Sequence, residues 1–138
     1  MDDLETAARR FVTDVWNGER EQTAYELIAD ECPGLGGSTG PDGVLAFHHD
    51  RRLSFPDQRY EIVDVVASGD RAAIRWRGSG TQRGQFGPVP ATGRRVSYSG
   101  ATFLRFDGAG RIADVWSVNE LFAVLQQLGV QVTPPPGD

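Results

Sequence analysis

Between Tyr60 and Val118 the chain repeats one pattern: runs rich in Val, Ile, Trp, Tyr and Phe, separated by breaks. The runs cover 60–68, 71–83, 94–106 and 111–118. Ser68-Gly69-Asp70 joins the first two, and Asp107-Gly108-Ala109-Gly110 joins the last two. Connections this short only reverse the chain, because a parallel neighbour needs a crossover of about a dozen residues or more. A meander of antiparallel strands follows. Side chains alternate across a strand, so Ile74 and Trp76 oppose Arg75 and Arg77. Val96, Tyr98, Thr102 and Leu104 share one face of the third run. Ile112, Trp116 and Val118 share a face of the last. Glycines in or next to the runs, Gly78, Gly80, Gly84 and Gly100, are expected at bends or bulges.

Helical periodicity precedes the strands. Leu4, Ala8, Phe11, Val12, Val15 and Trp16 recur at three- and four-residue spacing, predicting a helix over 2–17 that stops at Asn17-Gly18. A short helix through Ala24, Leu27 and Ile28 ends before Cys32-Pro33. A third, from Pro41 to Leu53, turns Val44, Leu45 and Phe47 toward the core and is broken by Phe55-Pro56-Asp57. After the strands, a closing helix reaches Leu128, with Gly129 as its cap. Helices first and a meander afterward predict an α+β domain. A long, strongly curved sheet with helices on its concave face would enclose a pocket. We expect one domain over residues 1–130 and a disordered Pro-rich tail over 131–138.

Composition removes several classes of function. The formal charge of -5 gives no steering toward nucleic acid or anionic membrane. The acidic start, Met-Asp-Asp-Leu-Glu, is not expected to act as a signal peptide. No apolar run approaches the ~20 residues of a membrane span. The single cysteine, Cys32, allows no internal disulfide, in keeping with a reducing, cytoplasmic setting. Every basic residue is arginine, which excludes Schiff-base chemistry and the lysine of a P-loop. The glycine-rich stretch from Gly34 to Gly43 has Thr39 where a dinucleotide fingerprint needs its third glycine, and no strand precedes it. Neighbouring His48 and His49 project about 100° apart on a helix and chelate poorly together. No His/Cys/carboxylate set has zinc spacing, so no metal site is expected.

Glu120 is the candidate chemical group. It lies at the seam between the last strand and the closing helix and continues the parity of Trp116 and Val118. Beside Trp116 and an apolar helix its carboxylate would lose solvation and its pKa would rise. Such a group can exchange protons near neutral pH. Capping of the closing helix is the alternative role.

Four blocks in order resemble the SnoaL-like polyketide cyclases of the NTF2-like superfamily. They are Phe55-Pro56-Asp57; Ala73-Ile74-Arg75-Trp76 leading to Gly80-Thr81-Gln82; Pro90-Ala91-Thr92-Gly93-Arg94-Arg95-Val96; and Arg111-Ile112 with Trp116 and Leu125-Gln126-Gln127-Leu128-Gly129. The likeness runs from Leu4 to Gly129. It implies a cystatin-like cone of three N-terminal helices on a curved antiparallel sheet, and a homodimer. It also implies small, apolar or aromatic metabolites handled without cofactor, by ring closure, epoxide opening or hydroxylation. The family's acid/base aspartate, four residues after the last-strand Trp, falls on Glu120. Trp116, Trp76 and Tyr98 are then expected to shape the pocket, with Gln82 or Thr102 orienting a substrate oxygen. The family's usual Gly-Thr-His is Gly80-Thr81-Gln82 here, and a pocket histidine of some cyclases aligns near Thr102. A non-catalytic small-molecule-binding module is the rival reading.

Overall fold

The computed structural model describes residues 3–137. The expected helix start at Asp2 lies outside them. Helix α1 runs Leu4–Arg10, with Asp3 accepting the Thr6 N–H at 2.7 Å as its N-cap. It continues into a π-helical stretch, Phe11–Trp16, which buries Phe11, Val12, Val15 and Trp16. Asn17 ends the helix and clamps it to the sheet, accepting the Tyr60 N–H at 2.8 Å and donating to the Tyr60 carbonyl at 3.0 Å. Helix α2 spans Thr23–Leu27 and α3 spans Gly40–Ser54. The short connection after α2 joins the sheet directly, Ala29 N–H bonding the Ile112 carbonyl at 2.9 Å.

Strands β1 (Arg59–Ser68), β2 (Arg71–Thr81), β3 (Arg95–Phe106) and β4 (Ile112–Asn119) form one sheet in sequence order, each pair antiparallel. Helix α4 (Leu121–Gln127) folds back on β3, and the described residues beyond it have no regular structure. The core fills the space between the inner sheet face and the N-terminal helices. Ile74, Trp76, Leu104, Phe106 and Ile112 meet Phe11, Val12, Val15 and Trp16 there. The α+β cone expected from the sequence is the observed architecture.

The parity expected for the last strand fails. Phe106 pairs with Ile112 and Arg105 with Asp114, so Ala113 is an extra residue in β4. A bulge of this kind reverses alternation beyond it. Ile112 faces the core, but Val115, Ser117 and Asn119 then face inward, and Trp116 and Val118 turn outward, 57% and 49% exposed. A second bulge, at Val63 in β1, leaves Val63 52% exposed.

Of the glycines expected at bends or bulges, Gly84 lies at a bend just past β2, but neither bulge falls on a glycine. Gly78 and Gly100 instead make room for rings. A Cβ at Gly100 would sit 2.3 Å from Trp76 Cζ2, and one at Gly78 2.9 Å from Tyr98 Cζ. Gly100→Ala is therefore expected to lower unfolding free energy by about 1–3 kcal/mol, as overpacking does. A urea denaturation midpoint unchanged from wild type would contradict this seat for Trp76.

Candidate active site

The cavity, of about 700 Å³, opens between the inner sheet face, α3, α4 and the β2–β3 loop. That volume lies within the range of roughly 300–1,000 Å³ usual for small-molecule pockets. Trp16, Trp76, Tyr60 and Tyr98 form its aromatic wall. Trp76 meets Trp16, Tyr60 and Tyr98 edge to face, with ring centres 5.9, 5.2 and 5.7 Å apart. Edge-to-face packing is the arrangement that the ring quadrupoles favour, and it fixes the wall.

Behind this wall runs a short polar chain. The Trp76 indole N–H donates to Thr102 Oγ1 at 3.0 Å, and Thr102 Oγ1 lies 2.7 Å from Ser117 Oγ. Thr102 is fully buried and reaches the cavity through Ser117, which lines it together with Asn119. Inversion of β4 at Ala113 brings these two polar side chains inward.

His48 is the lining group that the sequence reading left unassigned. It sits on the inner side of α3, buried and stacked on Trp16 at 6.0 Å. Trp16 is itself seated by Arg52, which donates to the Val15 and Trp16 carbonyls at 3.1 Å each and pairs with Glu21 at 2.8 Å. Nδ1 of His48 is buried without a hydrogen-bond partner. Burial, with help from Arg52 and Arg51, pushes the His48 pKa down to about 3, so the imidazole is uncharged at neutral pH. His49 points outward to Glu21 at 2.9 Å. The signal for His48 was its place in the α3 pattern, one turn beyond Val44 on the same face.

Three expected pocket residues lie elsewhere. Trp116 packs on Phe103 at 5.6 Å on the outer sheet face, where the bulge puts it. Gln82 is fully buried but not at the mouth. Its amide donates to the Val89 carbonyl at 3.1 Å and accepts from the Thr92 N–H at 3.1 Å and hydroxyl at 2.7 Å, tying down the β2–β3 loop. That loop supplies the lining residues Gln85, Phe86, Gly87 and Pro88, so Gln82 shapes the cavity from behind. Glu120 is exposed, not buried beside Trp116. Its carboxylate accepts the Ser99 N–H at 2.8 Å, and its own N–H donates to the Ser99 carbonyl at 3.1 Å, completing the β3–β4 edge. It precedes α4 without capping it through its side chain. Phe47, expected in the core, is 40% exposed and lines the cavity instead. Cys32 is buried, and its thiol is pushed up to about 11, chiefly by that burial.

Among the described residues no cluster of three or more His, Cys, Asp or Glu is placed to hold a metal ion, and no helix is long and apolar enough to cross a membrane. The state of His48 has a measurable consequence. Below about pH 6.5 the unfolded chain binds a proton that the native imidazole refuses, so stability falls as pH drops toward 3. His48→Phe is expected to flatten this limb by about 1.4 kcal/mol per pH unit between pH 6 and pH 4. Parallel wild-type and variant profiles from urea unfolding would show that His48 titrates normally.

Comparison with known proteins agrees with this architecture. The family profile of SnoaL-like polyketide cyclases matches residues 6–128. Among solved structures, TsrD from Streptomyces laurentii superposes with a TM-score of 0.81 at 24% identity, covering 94% of this chain and 98% of that one. A SnoaL-like polyketide cyclase from Agrobacterium tumefaciens gives 0.80 at 26% identity, over 94% and 100%. The polyketide-cyclase candidate IdmH from Streptomyces antibioticus gives 0.74 at 28%, over 91% and 97%. Among curated protein sequences none is significantly similar. Matched along nearly its whole length, and built as a helix-backed cone around an aromatic cavity, this chain belongs to the SnoaL-like polyketide cyclase family.

Proposed function

We propose that the protein is a cofactor-independent enzyme of polyketide-type secondary metabolism that closes or opens a ring in a small, largely apolar substrate. The observation that carries this reading is the aromatic cavity, whose polar lining groups include an uncharged imidazole, a serine hydroxyl and a carboxamide. Aromatic walls bind a conjugated substrate, and the polar groups address its oxygens.

Ring closure by an enolate, or opening of an epoxide, builds charge on a substrate oxygen, which fixed donors stabilise. His48, as neutral imidazole, offers an N–H without a competing charge. Ser117 offers a second donor: with Thr102 accepting the indole N–H and donating its own proton to Ser117 Oγ, the Ser117 proton is free for the cavity. The proton acceptor in this proposal is Glu120. The residues on either side of it, Asn119 and Leu121, line the cavity while Glu120 itself does not, so its carboxylate has to turn in from the strand edge. It must leave the Ser99 N–H to act.

Turnover of a model diketone or epoxide tests the assignment. Both Glu120→Gln and His48→Phe are expected to lower kcat by about 10²-fold or more, the usual scale for loss of a proton carrier or an oxyanion donor. Undiminished turnover in Glu120→Gln would leave that carboxylate as a strand-end clamp alone. Ligand uptake with no turnover in wild type would assign the cavity to non-catalytic binding.

The second part of the proposal is a homodimer through the outer sheet face. In register across β1 to β4 this face presents Val66, Ala73, Phe103 and Trp116, with Ala101 and Val118 in the next row. Charges of both signs flank them, Asp64 opposite Arg75 and Glu61 opposite Arg77. An apolar centre with such a rim is self-complementary across a two-fold axis. Sedimentation equilibrium is expected to give twice the 15.1 kDa chain mass for wild type and a monomer for Trp116→Lys. A monomeric wild type would refute it.

A further inference from the structure

Arg51 is the cationic side chain of the cavity lining, beside an uncharged His48. Its guanidinium carbon lies 5.4 Å from the centre of the Phe47 ring, one turn back on α3, and 5.0 Å from that of Phe86 on the β2–β3 loop. Two aromatic rings thus hold one guanidinium at the mouth. Among the described residues no carboxylate pairs with Arg51, and its guanidinium donates no hydrogen bond. The adjacent Arg52 differs: its donors go to Glu21 and to the Val15 and Trp16 carbonyls. Asp50 also lines the cavity, but it is exposed and, among the described residues, forms no ion pair with Arg51.

Ring faces attract a guanidinium but satisfy none of its in-plane N–H donors. Arg51 therefore presents a pre-positioned fork matched to a carboxylate, while the walls beyond it are aromatic. We propose that the cavity takes an aromatic or conjugated molecule bearing a carboxylate, with the carboxylate on Arg51 at the mouth and the ring system against Trp16 and Trp76. The proposal rests on the cavity being the substrate site, as argued above, and names the class of molecule that enters it.

The three tryptophans allow a direct test. Trp16 and Trp76 line the cavity, whereas Trp116 lies on the outer face and serves as internal control. The indole N–H resonances of ¹⁵N-labelled protein are followed while 2-naphthoate or its methyl ester is added. The carboxylate is expected to shift Trp16 and Trp76 with about tenfold higher affinity than the ester, the scale of one partly solvated charge-assisted pair. Arg51→Met should abolish the preference while leaving ester affinity unchanged, which shows the cavity intact. Phe86→Leu, which keeps the charge but removes one ring, should reduce the preference without erasing it. Equal affinities in wild type, or a preference that survives Arg51→Met, overturn the inference and leave the cavity reading standing. If neither probe moves Trp16 or Trp76, the cavity reading fails and the inference with it.

Discussion

The extra residue at Ala113 decides which side chains of β4 the cavity receives. Without it, strict alternation from Ile112 would send Trp116 and Val118 inward and leave Ser117 and Asn119 in solvent. With it, two polar groups enter an aromatic cavity and two large apolar groups go to the outer face. One inserted residue thereby separates the cavity-facing side chains from an exposed apolar outer face, because every side chain beyond a bulge changes face together.

The cavity wall depends in turn on the seat of Trp76. Its indole occupies space left by the missing side chain of Gly100 and is held by Thr102, which also contacts Ser117. Within this chain Trp76 and Thr102 are both paired, and Ser117 keeps a proton for the cavity. From the helical side, Arg52 caps the Val15 and Trp16 carbonyls, fixing Trp16 under His48. Full satisfaction does not extend to His48, whose buried Nδ1 in the cavity wall has no hydrogen-bond partner.

Much of the fold was legible along the chain. The turns at Ser68-Gly69-Asp70 and Asp107 to Gly110 require antiparallel neighbours, and the observed order β1-β2-β3-β4 is the meander they imply. Trp76, Tyr98, Thr102 and Leu104 lie on the inward face that alternation gives them. The site was less legible. Gln82 reads as a strand-end amide near the mouth, yet its partners Val89 and Thr92 lie across a loop whose path no local pattern describes. Trp116 and Glu120 were assigned by parity, and nothing in Arg111-Ile112-Ala113-Asp114 signals that one residue there is surplus.

Local composition and spacing determined the class of fold, the helix ends at Asn17 and Gly129, the reversal of the first and last strand pairs and the absence of lysine chemistry. These depend on interactions within a few residues, or on residue type alone. Only the tertiary structure decided that His48 is buried and uncharged, that Arg51 lies between Phe47 and Phe86, and that Glu120 bonds to Ser99. Each of those depends on solvent exclusion or on contact with a distant segment. The desolvation of an imidazole and the orientation of a guanidinium are set by everything packed around them.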